Sequence, residues 1–328
     1  MITRRRITLA FGAAALAPAA SFAKQQLAKK NYRLGFLHSE SANLVASRVE
    51  SLRKGLAALG YVEGRNLRIE FRWAEGKDER LPDLAAELVR LEVDVIVTTA
   101  TAPVVAAKHA TATVPIVFAT VGDAVATGIV ASLARPGGNA TGSTFFSPEL
   151  MAKRLELVKE AIPRITHVAV LVNPDSSLAD AVLKAMEVTA ESEKVNLRRF
   201  DASSLAELND AFAEMARQSI DAVIVHDHPR LIVNRRSITD LAIMRRLSAI
   251  GYGEFAEAGG LIGYGVNFDE LFYRAAYFVD KILKGVDPSN LPVEQTTRFE
   301  LTINMKTAKV LDIKMPNSLL VRADKIIQ

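Results

Sequence analysis

The sequence predicts an α/β protein built from two similar halves, each organised around a parallel sheet. Strand-like and helix-like segments alternate from Tyr32 onward, which is the pattern of βαβ units. The alternation restarts near Val168, and a short apolar motif occurs in both halves, as VDVIV at residues 93–97 and as IDAVIV at residues 220–225. A chain of 328 residues is long enough for two such domains.

The first half is predicted to contain four strands and four helices. Residues 44–59 have apolar side chains at helical spacing and end at Gly60, a typical residue after a helix. Residues 93–97 are β-branched and apolar, as in a buried parallel strand. The predicted strands are 32–38, 67–73, 93–97 and 115–119, and the predicted helices are 44–59, 81–91, 102–110 and 123–133.

The second half repeats this order, and a further helix is predicted at residues 271–283, between the last two expected crossings. Its predicted strands are 168–172, 197–200, 221–225 and 249–252, and its predicted helices are 179–193, 205–217 and 231–246. The Gly- and Pro-rich segment 135–142 is an expected crossing between the halves, and two more are expected near residues 265–267 and 291–293. The expected lobes are residues 32–140 with 267–291, and residues 141–266 with 292–328. Three crossings form a hinge about which two lobes can open and close.

Residues 1–23 are typical of a secretory signal peptide. A short positive segment with Arg4, Arg5 and Arg6 precedes about 14 apolar residues, and a small-x-small pattern predicts cleavage near Ala23. The apolar stretch is shorter than the roughly 20 residues of a membrane anchor. Twin arginines are compatible with Tat export as well as Sec export. We therefore expect an exported protein located in a periplasm.

Composition and missing motifs exclude several function classes. The chain has no cysteine, so disulfides, thiolate metal sites and cysteine nucleophiles are excluded. The net charge of +4 comes mostly from the leader, which argues against nucleic acid as a partner. Neither a nucleophile elbow nor a phosphate-binding loop occurs, so no catalysis and no cofactor are expected. The His226-Asp227-His228 run has no evident third metal ligand, and no metal is expected.

A binding site is expected where the carboxyl ends of the parallel strands meet. Thr99, Thr101 and Ala102 precede or begin a helix, whose free N–H groups and dipole can hold a carboxylate, although Thr101 can equally cap that helix. Asp123 can accept from a ligand ammonium or cap the helix that follows it. The residues predicted to contact the ligand are His38, Ser39, Thr98, Thr99, Thr101, Ala102, Thr120, Asp123, Asn173, His226, Asp227, Tyr252, Glu254 and Tyr264.

Seven further segments carry a resemblance to a known family. They are 60–67 (GYVEGRNL), 72–76 (RWAEG), 131–139 (ASLARPGGN), 153–157 (KRLEL), 259–261 (GGL), 291–295 (LPVEQ) and 319–324 (LLVRAD). Together they resemble the ABC-transporter substrate-binding proteins that include tryptophan/tyrosine binders. The resemblance implies a type I periplasmic-binding fold, with two Rossmann-like lobes, a three-crossing hinge and one ligand between the lobes. Where the family usually has Gly-Asp-Pro, this chain has Gly122-Asp123-Ala124, so the turn beside the site is expected to differ.

The resemblance implies a monomeric periplasmic receptor that passes a small organic solute to an ABC permease and its ATPase. An aromatic amino acid or a related carboxylate is the leading ligand. Two alternatives stay open at this point: a ligand sensor that docks to a membrane signalling protein, and an exported enzyme that uses His226 and Asp227. A DNA-binding regulator of the same fold would need a helix-turn-helix where this chain has its leader.

Overall fold

The computed structural model describes residues 31–328 and contains two sheets of mostly parallel strands. The predicted signal peptide lies outside the described residues. Thirteen strands are present in the described chain: β1 (Tyr32–His38), β2 (Leu67–Trp73), β3 (Val95–Thr98), β4 (Ile116–Val121), β5 (Ala140–Thr144), β6 (His167–Val172), β7 (Asn196–Asp201), β8 (Ala222–Val225), β9 (Ser248–Gly251), β10 (Ile262–Gly265), β11 (Glu294–Gln295), β12 (Glu300–Asn304) and β13 (Lys325–Ile327).

Helices cover both faces of each sheet. Within residues 31–328 they are α1 (Ala46–Ala58), α2 (Leu81–Arg90), α3 (Thr101–Ala110), α4 (Ser147–Ala161), α5 (Ala179–Ser192), α6 (Leu205–Arg217), α7 (Pro229–Val233), α8 (Arg235–Met244), α9 (Phe268–Leu283), α10 (Met305–Val310) and α11 (Asn317–Arg322). Four short 3₁₀ turns occupy Ala42–Val45, Asp78–Arg80, Gly253–Phe255 and Pro288–Asn290. None of the helices in this part of the chain is long and apolar enough to cross a bilayer.

The first sheet has the strand order β11-β5-β4-β3-β1-β2, and all of its pairings are parallel. Helices α1 and α9 cover one face and α2 and α3 the other, each with its own apolar cluster. We call this sheet with its four helices the first lobe. Strands β3 and β4 are buried throughout, so their alternating side chains contribute to both clusters.

The second sheet has the order β13-β12-β10-β9-β8-β6-β7 and is parallel except for the β10–β12 pair. Helices α4, α5, α10 and α11 pack on one face, and α6, α7 and α8 pack on the other. We call this unit the second lobe. Both lobes are Rossmann-like, as the sequence predicts, so the carboxyl ends of their central parallel strands provide binding positions in each.

The chain crosses between the lobes three times. It leaves the first sheet after β5, returns after β10 through Val266 and Asn267 into α9, and leaves again between β11 and β12. The segment 135–142 was expected as the first crossing, and its last residues form the beginning of β5 in the first sheet. Helix α9 belongs to the first lobe because its apolar face packs on α1 and on the first sheet.

The prediction of a helix at residues 123–133 is wrong. The chain forms turns there, because Asp123 Oδ1 accepts the backbone N–H groups of Val125 and Ala126 and Gly128 adopts a positive φ of 69°. The helix predicted at 231–246 is two helices, α7 and α8, which meet at Asn234. The helix predicted at 44–59 begins as a 3₁₀ turn and becomes α-helical at Ala46.

Contact between α1 and α9 depends on the absence of a side chain at Gly55. A Cβ at this position would lie 2.5 Å from the Tyr273 carbonyl oxygen and 2.8 Å from Ala276 Cβ. We predict that Gly55→Ala lowers the free energy of unfolding by about 1–3 kcal/mol through overpacking. This loss exceeds the gain of up to about 1 kcal/mol in helix propensity.

Urea unfolding of Gly55→Ala measures this difference. The matched control is Lys54→Ala at the exposed neighbouring position, which should change stability by less than about 0.5 kcal/mol. A Gly55→Ala protein at least as stable as the wild type would contradict the described packing of α1 on α9.

Candidate ligand-binding cleft

A cavity of about 260 Å³ lies between the two lobes, where the carboxyl ends of strands from both sheets face each other. Every strand-end segment around it follows a parallel strand, as expected for this topology. The lining residues are His38, Ser39, Glu40, Arg48, Asp78, Thr99, Ala100, Thr101, Ala102, Pro103, Val105, Thr120, Val121, Gly122, Phe145, Ser147, Asp175, Ser176, Ser177, Leu178, His226, Asp227, His228, Pro229, Arg230, Ile232, Phe268 and Phe272.

The first-lobe wall is built around the turn between β3 and α3. Ala100 has φ 61° and ψ 167°, a conformation that is rare outside glycine, and its N–H donates to the Thr120 carbonyl at 2.9 Å. The Thr99 hydroxyl donates to the same carbonyl at 3.0 Å. These two bonds fix the strained turn, so α3 begins at the cavity wall.

Helix α3 presents an uncapped N-terminus to the cavity. Its N-cap residue is Ala100, which has no side chain that can accept a hydrogen bond, and Thr101 is the first helical residue. The alternative role of Thr101 as the cap is therefore not realised. The N–H groups of Thr101 and Ala102, together with the helix dipole, favour an anionic group at this position.

Several buried polar atoms that line the cavity have no hydrogen-bond partner in the protein. They are His38 Nε2, Glu40 Oε1, Asp78 Oδ1, Thr120 Oγ1, His226 Nδ1 and His228 Nδ1. Outside the cavity, the only buried polar side-chain atoms of the described residues that lack a hydrogen-bond partner are Thr98 Oγ1 and Asp269 Oδ1. An unsatisfied buried polar group costs about 1–3 kcal/mol, so a solute that pairs with these atoms recovers a large free energy.

Burial keeps the three cleft histidines neutral. It lowers the pKa of His38 to about 3, with a further lowering by Arg48, and that of His228 to about 3, with His226 and Arg230 adding to the effect. Burial also lowers the pKa of His226 to about 4. Neutral imidazoles can both donate and accept, so these rings can bind hydroxyl, amide or carboxyl groups.

Glu40 brings an acidic group into the same cavity. Burial raises the pKa of Glu40, Arg230 of the second lobe lowers it, and Asp78 raises it. Glu40 and Asp78 therefore concentrate negative charge at one position of the wall, with a cation of the second lobe within electrostatic range.

The second-lobe wall contains an ion pair that is buried beneath the cavity surface. Arg154 donates to Asp227 through Nη2–Oδ1 at 2.7 Å and Nη1–Oδ2 at 3.0 Å, and both side chains are almost fully buried. The His226 ring does not hydrogen-bond to this carboxylate. A His226–Asp227 acid–base pair, which the enzyme alternative requires, is absent from the described site.

The lobes touch through Arg48 of α1. Its guanidinium lies 3.6 Å from the Glu254 carboxylate of the second lobe and 4.7 Å from the centre of the Phe268 ring. Arg48 and Phe268 both line the cavity, whereas Glu254 lies just outside it. The ion pair with Glu254 joins the two walls directly beside the cavity.

Eight of the predicted ligand-contact residues line the cavity. They are His38, Ser39, Thr99, Thr101, Ala102, Thr120, His226 and Asp227. The other six do not line it, and these are Thr98, Asp123, Asn173, Tyr252, Glu254 and Tyr264.

Three of those six support lining residues instead. Asn173 Oδ1 accepts the N–H of Asp175 at 2.9 Å and so shapes the loop that lines the second-lobe wall. The Tyr252 ring is fully buried, and its hydroxyl donates to the Ile232 carbonyl at 3.0 Å. Glu254 pairs with Arg48, as described above.

The remaining three make contacts away from the cavity wall. The carboxylate of Asp123 is engaged with its own turn, and Thr98 is buried one residue before the lining Thr99. Tyr264 packs against Phe299 with ring centres 6.0 Å apart. It lies near the carboxyl end of β10 but does not line the cavity.

The sequence analysis missed lining residues whose patterns resemble those of ordinary structural residues. Phe268 and Phe272 have the i, i+4 spacing of a core-facing helix stripe, and Arg48 lies on a helix that also carries exposed charges. Asp78 begins a 3₁₀ turn and does not follow the end of a strand. Glu40 had a usable signal, since it directly follows His38 and Ser39 at the end of β1.

Comparison with known proteins gives the cleft its context. Residues 40–327 match the family described as ABC transporter substrate binding protein. The chain belongs to this family. Proteins of this ABC transporter substrate binding family bind small solutes for a transporter and are not enzymes. In the described residues, no group of three or more His, Cys, Asp or Glu side chains is arranged to hold a metal ion.

Individual relatives, one similar in sequence and two in structure, support the family assignment. A tyrosine-binding protein from Clostridioides difficile is 26% identical over 262 residues, which cover 80% of this chain and 75% of the relative. A conserved domain protein from Vibrio cholerae superposes with a TM-score of 0.85 at 26% identity, covering 90% of this chain and all of that one. An ABC domain from Streptococcus pneumonia in complex with L-Trp has the same fold, with a TM-score of 0.84 at 23% identity over 91% of this chain and 100% of that one.

Because the cleft histidines are buried and neutral, we expect the stability of the folded protein to fall at acid pH. Unfolded histidine takes up a proton below about pH 6.5, whereas His226 in the folded protein does so only below about pH 4, so stability falls as the pH falls between these values. We predict that His226→Gln makes this decline shallower by up to about 1.4 kcal/mol per pH unit.

Urea unfolding at pH 7, 6 and 5 checks this slope. His109→Gln, at an exposed position on α3, is the matched control and should keep the wild-type slope. If the free energy of unfolding falls with pH at the same slope in His226→Gln and in the wild type, His226 is not held neutral by burial.

Proposed function

We propose that this protein is the periplasmic receptor of an ABC importer and that it binds one aromatic amino acid between its lobes. The observation that carries the proposal is the cavity between the lobes whose buried polar atoms, drawn from both lobes, have no partner in the protein. The receptor acts as a monomer after removal of the leader near Ala23. It delivers the solute to a membrane permease, and the partner ATPase supplies the energy.

The size and lining of the cavity support a single small aromatic solute. Its volume of about 260 Å³ is below the roughly 300–1,000 Å³ of pockets for drug-sized ligands. The Phe145, Phe268 and Phe272 rings supply apolar and aromatic surface. The tyrosine-binding relative and the L-Trp complex of a structural neighbour point to the same class.

The carboxylate of the solute is assigned to the N-terminus of α3. The N–H groups of Thr101 and Ala102 have no partner within the helix, and the buried Thr120 hydroxyl is unpartnered. Hydrogen bonds from such donors to a carboxylate are charge-assisted and stronger than neutral ones. The strain at Ala100 is consistent with a turn shaped for a ligand.

The ammonium group of the solute is assigned to Glu40 and Asp78. Each has a buried, unpartnered carboxylate oxygen in the cavity wall, and burial raises the pKa of Glu40 although Arg230 lowers it. A ligand ammonium would pair with these oxygens and favour the charged form of both side chains. Asp123, the partner expected from the sequence, already accepts two backbone hydrogen bonds in its own turn.

We predict that L-tyrosine or L-tryptophan raises the melting temperature and binds with a micromolar or lower Kd, equivalent to about −8 kcal/mol or stronger. Tyramine lacks the carboxylate and 3-(4-hydroxyphenyl)propionate lacks the ammonium, so each should bind at least about tenfold more weakly than L-tyrosine. Isothermal titration calorimetry measures these affinities. A folded sample that binds neither amino acid would contradict the proposed ligand class.

We also predict that Glu40→Gln and Asp78→Asn each weaken the amino acid by about tenfold or more, because the ammonium loses a charged partner. The same variants should leave the weak affinity for 3-(4-hydroxyphenyl)propionate nearly unchanged. Asp123→Asn is the matched control and should bind like the wild type. An effect confined to Asp123→Asn would instead favour the sequence-based assignment.

A further inference from the structure

Arg154 is the centre of a buried network that the proposed ligand contacts do not use. Its side chain has no solvent exposure, and it belongs to the KRLEL segment at residues 153–157. Besides the paired bonds to Asp227, its Nε donates to the Tyr264 carbonyl at 2.8 Å and its Nη1 to the Val225 carbonyl at 3.2 Å. One guanidinium therefore joins α4, the end of β8 and β10.

The partners of this network lie at the cavity wall and beside two of the crossings. Asp227 belongs to the segment 226–230, all of whose residues line the cavity. The Ser147 hydroxyl, on the first residue after the crossing that follows β5, lies 3.4 Å from Asp227 Oδ2. Tyr264 is two residues before Val266, where the second crossing begins. The network thus connects the second-lobe wall to two of the three crossings.

The geometry leaves little freedom at this point. A Cβ on Gly265 would lie 3.1 Å from Arg154 Nη2 and 3.3 Å from the Gly253 nitrogen. A planar guanidinium with fixed donors can hold a carboxylate and two carbonyls at once, which the single ammonium of lysine cannot reproduce. The arrangement resists displacement of residues 226–230 relative to β10.

We propose that Arg154, through Asp227, is a positioning residue that holds residues 226–230 in their binding geometry and couples them to the crossings. It does not itself touch the solute. This role rests on the proposed function, because the wall that Arg154 holds is the second-lobe half of the proposed ligand site.

A paired substitution distinguishes a role of Arg154 in positioning residues 226–230 from a role only in the stability of the fold. R154M alone leaves Asp227 as an unpaired buried charge, so it should lower the melting temperature strongly. R154M/D227L replaces both charges by apolar side chains and should restore most of that loss. The double variant nevertheless lacks the bonds to Val225, Tyr264 and Ser147, so the wall should be loose in a stable protein.

Two measurements on R154M/D227L test the proposal. In the solute-free protein, amide hydrogen exchange in a peptide covering residues 226–232 should be at least tenfold faster than in the wild type, while β6 keeps its protection. The Kd for whichever of L-tyrosine or L-tryptophan the wild type binds should rise at least tenfold. Unchanged exchange at 226–232, or faster exchange with wild-type affinity, would overturn the positioning role.

The exchange measurement keeps the test independent of the ligand class. If the wild type binds neither amino acid, the proposed ligand fails, and exchange at residues 226–232 alone decides the role of Arg154. If the double variant does not fold, G265A replaces it, because its Cβ pushes on Nη2 and should also speed exchange at 226–232. G138A, where a Cβ meets nothing within 4 Å, is the matched control and should exchange like the wild type. G265A with wild-type exchange would overturn the proposal.

Discussion

The structure depends on one constraint: polar side chains at the carboxyl ends of two parallel sheets are removed from water without partners in the protein. His38, Glu40 and Thr120 of the first lobe and His226 and His228 of the second lobe all carry such atoms. Each costs about 1–3 kcal/mol when it is buried unsatisfied. Under the proposed function, a solute that supplies the missing partners would favour contact between the lobes. Ligand binding and lobe closure would then draw on the same free energy.

One direct polar contact between the lobes is weak. Arg48 lies 3.6 Å from Glu254 of the second lobe, beyond hydrogen-bond distance, whereas its cation–π contact with Phe268 lies within the first lobe. The Phe268 ring also packs against Tyr252 of the second lobe, with ring centres 6.2 Å apart. Under the proposed function, a solute between the lobes would shift the balance between open and closed forms, and the closed surface would report occupancy to a transporter.

Much of the fold is readable from the sequence because buried parallel strands are continuous apolar runs. Residues 93–97 and 220–225 mark central strands in both lobes, and the predicted residues at or after strand ends include eight that line the cavity. The site beyond these strand ends depends on packing. Phe268 reaches the cavity only because α9 returns to the first lobe, and Asp78 lies there because of the path of a 3₁₀ turn. Asp123 follows a strand, yet its own turn consumes the carboxylate. Local sequence does not encode these distances.

The central claim is that the lobes close over a solute, and a distance measurement between the lobes tests it most directly. The chain contains no cysteine, so cysteines at the exposed positions Lys77 and Ala181, one on each lobe, can carry spin labels without background. Double electron–electron resonance should show a shorter and narrower distance distribution with saturating L-tyrosine or L-tryptophan than without a solute. An identical distribution in both samples, with binding verified by calorimetry, would contradict the account.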